Sequence, residues 1–535
     1  MCRSLRSGYA RVAIPGTSAR WPARWTALVA VIACLGGAGS ALAERWTASA
    51  GASATETYNH YWGTNAPSDG TSTAVSGNVS FDGEGARIKL RGTLSATEIF
   101  YTGQGQGSGS FAPGANVFGH VEAIEHFFFV DATANVTQTY ASPFGPQPAG
   151  LAIPTANRYT SETYTVSPYI QGVLGSTVAY HVRDDNIWTT SQNYGDTSVK
   201  PPSTYWNNLD AELNSVTGGP SGWTVQYTRQ YYDSGSGSGN YILQLARAID
   251  YYQIDPQLQV SARFGYEHDK FPAESAIGNS TQGTFYGAGA HWRPTERTDV
   301  DGWWENHYYG SSYSWTISHR LPNVALSANF TRGLSSYPQL ALLVPAGVPV
   351  AQFLDAAFTT RIPDPAQRAA AVAQFMAQSG LPPNLISPLN VYATTVTLQN
   401  SASATAVWIG KLNSVSFTIY RLESESVVNQ TALPEPFVFG ANSVQVGGAV
   451  NYNHRLTTLT SFNAGLSYAT AKPNSEESAA VNPRSHNYNA SASLNTQFTP
   501  KTSGSIGVNY FLFDTEGTSG RTSSASLFAT ISHTF

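Results

Sequence analysis

The chain holds two cysteines and two methionines in 535 residues, and both cysteines, Cys2 and Cys34, lie among its first 43 positions. Past residue 43 there is therefore no disulfide, no thiol nucleophile and no thiolate metal site. Charge is scarce too: Asp, Glu, Lys and Arg make up 12% of the chain, about half the usual share. No stretch after residue 43 approaches the roughly 18 continuous apolar residues of a membrane-spanning helix, so helical spans are excluded. Basic residues are few and form no stripe. Five of the 29 Lys and Arg are arginines of the first 24 positions (Arg3, Arg6, Arg11, Arg20, Arg24), which leaves 24 against 34 acids. Nothing there could neutralise a run of phosphates, and a nucleic-acid partner is excluded.

What is present points elsewhere. Aromatics equal the charges at 12%, and the overall balance is slightly hydrophilic. The arginine-rich start, the short apolar run Trp25 to Leu35 and Ala41-Leu42-Ala43 before Glu44 are the three parts of a secretory signal peptide. Residues 1–43 are expected to be cleaved, leaving 44–535 as one exported unit. Val31-Ile32-Ala33-Cys34 loosely fits a lipoprotein box that would instead leave Cys34 lipidated. Export, low charge, many aromatics and no long apolar run are jointly expected of a transmembrane β-barrel. A secreted solenoid or propeller would show a fixed repeat period, and none is found.

Alternating apolar and polar residues mark strand after strand. In 86–101, Ile88, Leu90, Leu94 and Ala96 alternate with Arg87, Lys89, Arg91 and Thr93. Leu258, Val260, Ala262, Phe264 and Tyr266 alternate with Gln259, Ser261, Arg263 and Glu267, and Val178, Tyr180 and Val182 with His181, Arg183 and Asp185. A charge facing lipid at mid-depth costs about 2–4 kcal/mol, so the charged face must be the inside. Arg247, between Leu245 and Ile249, breaks this rule and implies a bulge or a misread register. Long polar gaps (59–72, 102–116, 141–157, 189–202, 269–280, 335–390, 424–441, 471–483) take turns with tight ones such as 82–86, 172–174 and 498–501. Short periplasmic turns and long external loops produce that asymmetry; the short gap 309–311 is its one exception. The expectation is an all-β, antiparallel up-and-down barrel of about 22 strands, within a range of roughly 18 to 24. It places both termini in the periplasm of a Gram-negative cell.

The last stretch, Arg521 to Phe535, carries Ala525, Leu527, Ala529, Ile531, His533 and Phe535 on one face and mainly Ser and Thr on the other. It is expected to pair with 46–58 and close the wall. Ile531, His533 and the terminal Phe535 resemble the signal read by the barrel-assembly machinery. The outer surface should meet lipid and lipopolysaccharide. Candidates for lining the lumen are Arg87, Lys89, Arg91, His181, Arg183, Arg263, Glu267, Asp299, Asp301, Trp303 and Glu305. Asp299, Asp301, Glu305 and His307 form the densest polar set and read as lumen lining rather than metal ligands; no cofactor is implied. Asp184 and Asp185 read as strand-end residues facing a loop. The gap 335–390 contains two helix-like pieces, 350–358 and 365–378, with Pro363-Asp364-Pro365 supplying a break, an N-cap and an N1 proline. This insertion is either a lid over neighbouring loops or an in-folded constriction of the lumen.

Asp82-Gly83-Glu84-Gly85-Ala86-Arg87, Ser142-Pro143-Phe144-Gly145-Pro146-Gln147, Asn157-Arg158 and Tyr164-Thr165-Val166-Ser167-Pro168-Tyr169 carry a family likeness. So does Ile362-Pro363-Asp364-Pro365-Ala366-Gln367-Arg368. Through them the chain resembles the outer-membrane barrel family associated with PEP-CTERM/exosortase systems and exopolysaccharide loci, over roughly residues 46–535. The resemblance implies a barrel linked to the export of extracellular polysaccharide or surface protein, with components of that system as partners. It brings no catalytic residues, and no enzyme is expected. The leading expectation is a channel or export component for a polar polymer. A general porin for small solutes and a barrel enzyme acting on lipid or glycan are the alternatives.

Overall fold

The computed structural model describes residues 43–535 apart from 64–67, 104–109, 194–200, 217, 236–239, 272–280, 428–441, 475–481 and 518–519, and only scattered positions of 337–395. Twenty-two strands make up nearly all of it. They are β1 (Ala43–Gly63), β2 (Gly70–Gly85), β3 (Ile88–Thr102), β4 (Ser110–Ile124), β5 (Phe128–Tyr140), β6 (Arg158–Leu174), β7 (Val178–Asn193) and β8 (Thr204–Ser215). There follow β9 (Ser221–Asp233), β10 (Asn240–Asp255), β11 (Leu258–His268), β12 (Gln282–Thr295), β13 (Thr298–His307), β14 (Gly310–Leu321) and β15 (Val324–Ser335). After the insertion come β16 (Thr397–Ile409), β17 (Asn413–Ser426), β18 (Ser443–Arg455), β19 (Thr460–Pro473), β20 (Ser485–Thr499), β21 (Thr502–Thr515) and β22 (Thr522–Thr534).

Each strand pairs antiparallel with the next, and β22 returns to β1, from Gly51↔Thr534 to Gly63↔Thr522. The N–H of Phe535 reaches beyond the last pair to the carbonyl of Ala50 at 2.8 Å. The barrel is therefore closed, and closure is what lets a sheet lie in hydrocarbon, because no backbone edge is left unpaired there. The alternation of short and long connections holds round the wall except at Tyr308-Tyr309, a two-residue connection on the long-loop rim between β13 and β14. One rim of the barrel carries the tight turns together with the outer ends of β1 and β22. The other carries the long loops. Two of the tight turns use left-handed backbone: His126 (φ 54°) turns β4 into β5 and Gly175 (φ 63°) turns β6 into β7. His126 has its N–H on the Glu122 carboxylate, 2.5 Å away, as compensation.

The two faces are sorted as the period-2 pattern requires. Phe264, Leu466, Leu527 and Ile531 point outward and are 62%, 64%, 53% and 56% exposed, while Ser524, Ser526 and Glu267 point inward and are buried. Trp46, Tyr58 and Trp188 are exposed on the outer face, as girdle aromatics should be. Two expectations need correction. Arg247 is no exception to the charge rule: its strand pairs in regular register at that point, and Leu245, Arg247 and Ile249 all face inward with Glu267, Gly265 and Arg263. Of the two expected causes, no bulge is present; hydrophobicity alone misreads the facing of Leu245 and Ile249. Asp184 and Asp185 lie mid-strand in β7, not at a strand end. Asp185 faces the lumen beside Arg183; Asp184 faces outward and accepts from the amides of Asn207 (2.6 Å) and Asn186 (2.9 Å).

Candidate functional site: the lumen wall and two in-folded segments

The inner wall is divided. Along β5 to β14 it carries charges of both signs joined in a belt. Arg183 donates to Asp131 (2.8 Å) and Asp185 (2.7 Å). Asp210 accepts from Gln226 (2.8 Å) and Thr228 (3.0 Å), and Gln226 in turn accepts from Arg247 (3.4 Å). Arg247 and Arg263 share Glu305, at 2.8 and 3.2 Å. His307 bridges Glu305 (3.1 Å) and Glu267 (2.9 Å). Glu305 is wholly buried, and a buried carboxylate persists only where such partners offset its lost hydration. The register builds the place for it. Glu305 pairs with Gly287, where a Cβ would stand 2.7 Å from the Glu305 Cγ. Both guanidinia lie over the Trp303 ring, 5.7 and 5.0 Å from its centroid.

This belt ends at the loop rim on Asp269, one residue past β11. Asp269 accepts from the Tyr308 hydroxyl (2.7 Å) and the Gln244 N–H (3.1 Å). Burial outweighs those donors and pushes its carboxyl up to about 7.

From β15 round to β2 the wall is of another kind. Among the described strand residues, the inward positions from Ser327 through to Ser80 carry no Asp, Glu, Lys or Arg, apart from Arg45 and Arg455 at the turn rim. Most are hydroxyls and amides instead, such as Ser403 and Thr405 on β16, Ser416 and Thr418 on β17, Asn451 and Asn453 on β18, Asn487 and Asn489 on β20, Thr55 and Thr57 on β1, with a minority of apolar and aromatic residues such as Tyr420 and Phe511. Side chains this small leave the backbone of the wall open. Along the inner face of β1 to β6 they leave a hollow of about 810 Å³, with Ser49, Ser80, Thr93, Asn116, Asn135 and Phe118 on its floor.

Two connections from the loop rim enter this space. The first, 141–157, is anchored at both ends by Arg158, which is buried and donates to the Tyr140 hydroxyl (2.9 Å) and the carbonyls of Pro148 (3.2 Å) and Gly150 (2.5 Å). From there it crosses to the neutral wall. The Asn487 amide accepts from Gln147 N–H (2.8 Å) and donates to Gly145 (3.3 Å); Asn489 does the same with Ala149 and Gln147. Asn59 donates to Ala152 (3.1 Å) and Tyr101 to Leu151 (2.8 Å). Ile153 packs with Tyr61 and Phe511. The second is the insertion between β15 and β16. Its described helical residues Leu354 and Val372 are buried against Ala325, Val407 and Ile409, with Ala351, Phe358 and Met376 beside them. Ala325 and Ile409 are the inward residues next to the tight turns. These described residues therefore lie inside the wall near the turn rim, where Asp355 faces a space of about 690 Å³ lined also by Arg293, Arg297 and Arg320. Nearer the loop rim, Leu389 exchanges two hydrogen bonds with the Gln445 side chain, at 2.9 and 3.0 Å.

The residues singled out from the sequence fall as follows. His181, Arg183, Arg263, Glu267, Asp301, Trp303 and Glu305 lie on the inward face, and Asp299 ends that row at the turn rim, held by Arg293 (2.8 Å) and His291 (3.1 Å). Lys89 and Arg91 are inward, Lys89 at the rim on Glu84 (2.9 Å) and Arg91 over the Phe118 ring (5.2 Å). Arg87 sits outside β3 in the turn and pairs with Glu125 of the next turn at 2.5 Å. His533 bonds Thr502 (2.9 Å) and its ring meets Phe535 at 5.0 Å; Ile531 and Phe535 face outward. In the insertion, Asp364 caps a helix by accepting from Gln367 N–H (2.9 Å), and Arg368 pairs with Asp355 (2.8 Å). Pro363 and Pro365 lie outside the described residues. Among the described residues no group of three or more His, Cys, Asp or Glu is placed to hold a metal ion. The sequence reading missed Arg247, Asn487, Asn489 and the in-folding of 141–157. A row of asparagines at alternate inward positions was the one visible signal.

No protein-family model matches the chain. No curated protein matches it. Solved barrels are similar in outline. The FrpB iron transporter from Neisseria meningitidis (apoprotein form, F5-1 variant) shares 9% identity over 91% of this chain and 81% of its own, with a TM-score of 0.47. The siderophore receptor PirA from Pseudomonas aeruginosa shares 10% over 92% and 81%, at 0.41. OpdK from Pseudomonas aeruginosa, solved with vanillate, shares 8% over 91% and 99%, at 0.34.

Proposed function

We propose that the protein is an outer-membrane conduit for a polar, largely uncharged polymer, most specifically an extracellular polysaccharide. The long loops face the outside, and the turn rim with both chain ends faces the periplasm. The observation that carries this reading is the neutral wall running from β15 to β2. Its hydroxyls and amides exchange hydrogen bonds with sugar hydroxyls on nearly the terms that water offers. It has no fixed charge to fix a counter-ion in the path. A neutral chain would be passed along such a surface without being held. The insertion, whose foot rests at the periplasmic rim, serves as the gate, and components of a polysaccharide or exosortase-type system are its natural partners there.

The test is removal of the protein from its host. Loss of surface polysaccharide with the polymer retained in the periplasm is the expected result; unchanged surface polysaccharide would overturn the export role. The charged belt supports a second, coarser reading as a porin. Inward acids on β5 to β14 (Asp131, Asp185, Asp210, Glu212, Glu267, Asp299, Asp301, Glu305) outnumber the guanidinia (Arg183, Arg247, Arg263, Arg293, Arg320). Small-solute flux through it should prefer cations.

A further inference from the structure

The hollow on the inner face of β1 to β6 is chemically distinct from the rest of the lumen. It lies where the neutral wall gives way to charged positions on β2 and β3, and it brings an aromatic ring and two opposed charges together. Phe118 on β4 is half-buried on its floor, and Arg91 on β3 stands over that ring at 5.2 Å. Asp82 on β2 is the direct register partner of Arg91. Both line the hollow, and no ion pair among the described residues engages either of them. Around them stand the hydroxyl of Thr93 and the amides of Asn116 and Asn135, on adjacent strands and in the same row. The Cβ-free Gly92, between Arg91 and Thr93, lies against the backbone of Asn116 and Val117.

A ring, a carboxylate, a guanidinium and side-chain amides on one concave surface match a pyranose. The sugar has a hydrophobic C–H face for the ring, and vicinal hydroxyls that a carboxylate or guanidinium takes two at a time. At about 810 Å³ the hollow lies in the range of small-ligand sites, room for a few sugar residues. Its position fits as well. Loop 141–157 spans the loop-rim side of the same wall, bonding β1 at Asn59 and β3 at Tyr101. The insertion occupies the opposite side, against β15 and β16.

We propose that this hollow is a saccharide-binding subsite of the conduit, which takes a short neutral pyranose segment with Phe118 as platform and Asp82, Arg91 and Asn116 as its polar contacts. The inference rests on the conduit reading and names where the polymer is held. Trp303, the inward ring among the lumen candidates, lies outside this hollow, beside the Arg247, Arg263 and Glu305 node.

The test uses the full mature chain in planar bilayers and in calorimetry, with maltohexaose and cellohexaose as probes. One or both should bind and interrupt the ionic current when added on the turn-rim side. Phe118→Ala and Asp82→Asn should each weaken binding at least about tenfold, the scale of one lost charged hydrogen bond or ring contact. Trp303→Phe should leave it unchanged. Asp82→Asn preserves shape, so a folded, heat-resistant barrel with weakened binding separates a binding role from a structural one. Sugar binding that is indifferent to both substitutions would overturn the assignment, as would a conducting barrel that neither sugar blocks. Those results leave the conduit itself standing. A barrel that conducts no ion, even without the insertion, would sink the conduit reading instead.

Discussion

Loop 141–157 and the insertion between β15 and β16 both fold into the lumen, but they are held by different forces. The loop is tied by directional bonds: Arg158 at its base, then Asn487, Asn489 and Asn59 on its backbone. Such bonds are satisfied in one geometry only, and each one broken in a closed space leaves a carbonyl or N–H unpaired. The insertion is held by Leu354 and Val372 against Ala325, Val407 and Ile409, with the Arg368–Asp355 pair inside the insertion itself. Apolar contact is non-directional and grows with area, so a helical piece can leave the wall as a unit without orphaning the wall's polar groups. The loop is held by direction, the insertion by area.

That contrast can be broken at several points. The largest effect should come from replacing 338–394 by a short Gly/Ser linker. Single-channel conductance should rise several-fold while the barrel stays heat-resistant in detergent, because the closed wall does not depend on the insertion. Unchanged conductance would mean that the insertion blocks nothing. Next is Arg158→Ala, which removes the donors to Pro148 and Gly150 and should destabilise docking of the loop by about 3 kcal/mol. Faster hydrogen exchange at the Gln147 and Ala149 amides would show it. Asn487→Ala removes one of the two asparagine clamps and should cost about 1–2 kcal/mol, read by the same exchange. If it matched Arg158→Ala, the loop would depend on the wall rather than on its base.

The smallest effect belongs to a corner that neither segment supplies. Asp269 has its carboxyl raised, chiefly by burial, from the ordinary carboxylate range to about 7. The folded corner thus holds a proton that the unfolded chain has lost, and stability here is full below about pH 4 and declines as pH rises through 7. The protection factor of the Gln244 amide, which donates to Asp269, corrected for intrinsic exchange, should fall between about pH 4 and 7 and level off above. In Asp269→Asn that pH dependence should vanish; if it persists, another group is responsible.

The wall was legible in the sequence because a barrel in lipid obeys two strict rules, period-2 sorting and alternating gap lengths. Leu258 to Tyr266 and the β22 face ending in Phe535 need nothing beyond their own residues to be read. Arg247 was not legible. Its neighbours Leu245 and Ile249 are apolar yet inward, and a hydrophobicity pattern assumes that only lipid is apolar. Nearby, Tyr241 and Leu243 belong to an apolar cluster with Val396 and Val427, so this part of the inner wall is a packed interior. Nor was the Glu305 node readable as a node: Arg247, Arg263, Glu305 and His307 come from three strands, and only register brings them together. Asn487 and Gly145 stand more than three hundred positions apart, and no local pattern links an asparagine to a distant loop's carbonyl.

The strands are far from equal in length. β1 has 21 residues and β13, close to the far side of the ring, has 10, running from Thr298 to His307. Two residues, Tyr308 and Tyr309, then turn it straight back into β14. Every other connection on the loop rim is longer than this two-residue one, so the rim is notched beside β13 and β14. The corner of Asp269 and Tyr308 stands at that notch, on the side of the mouth with the least chain above it.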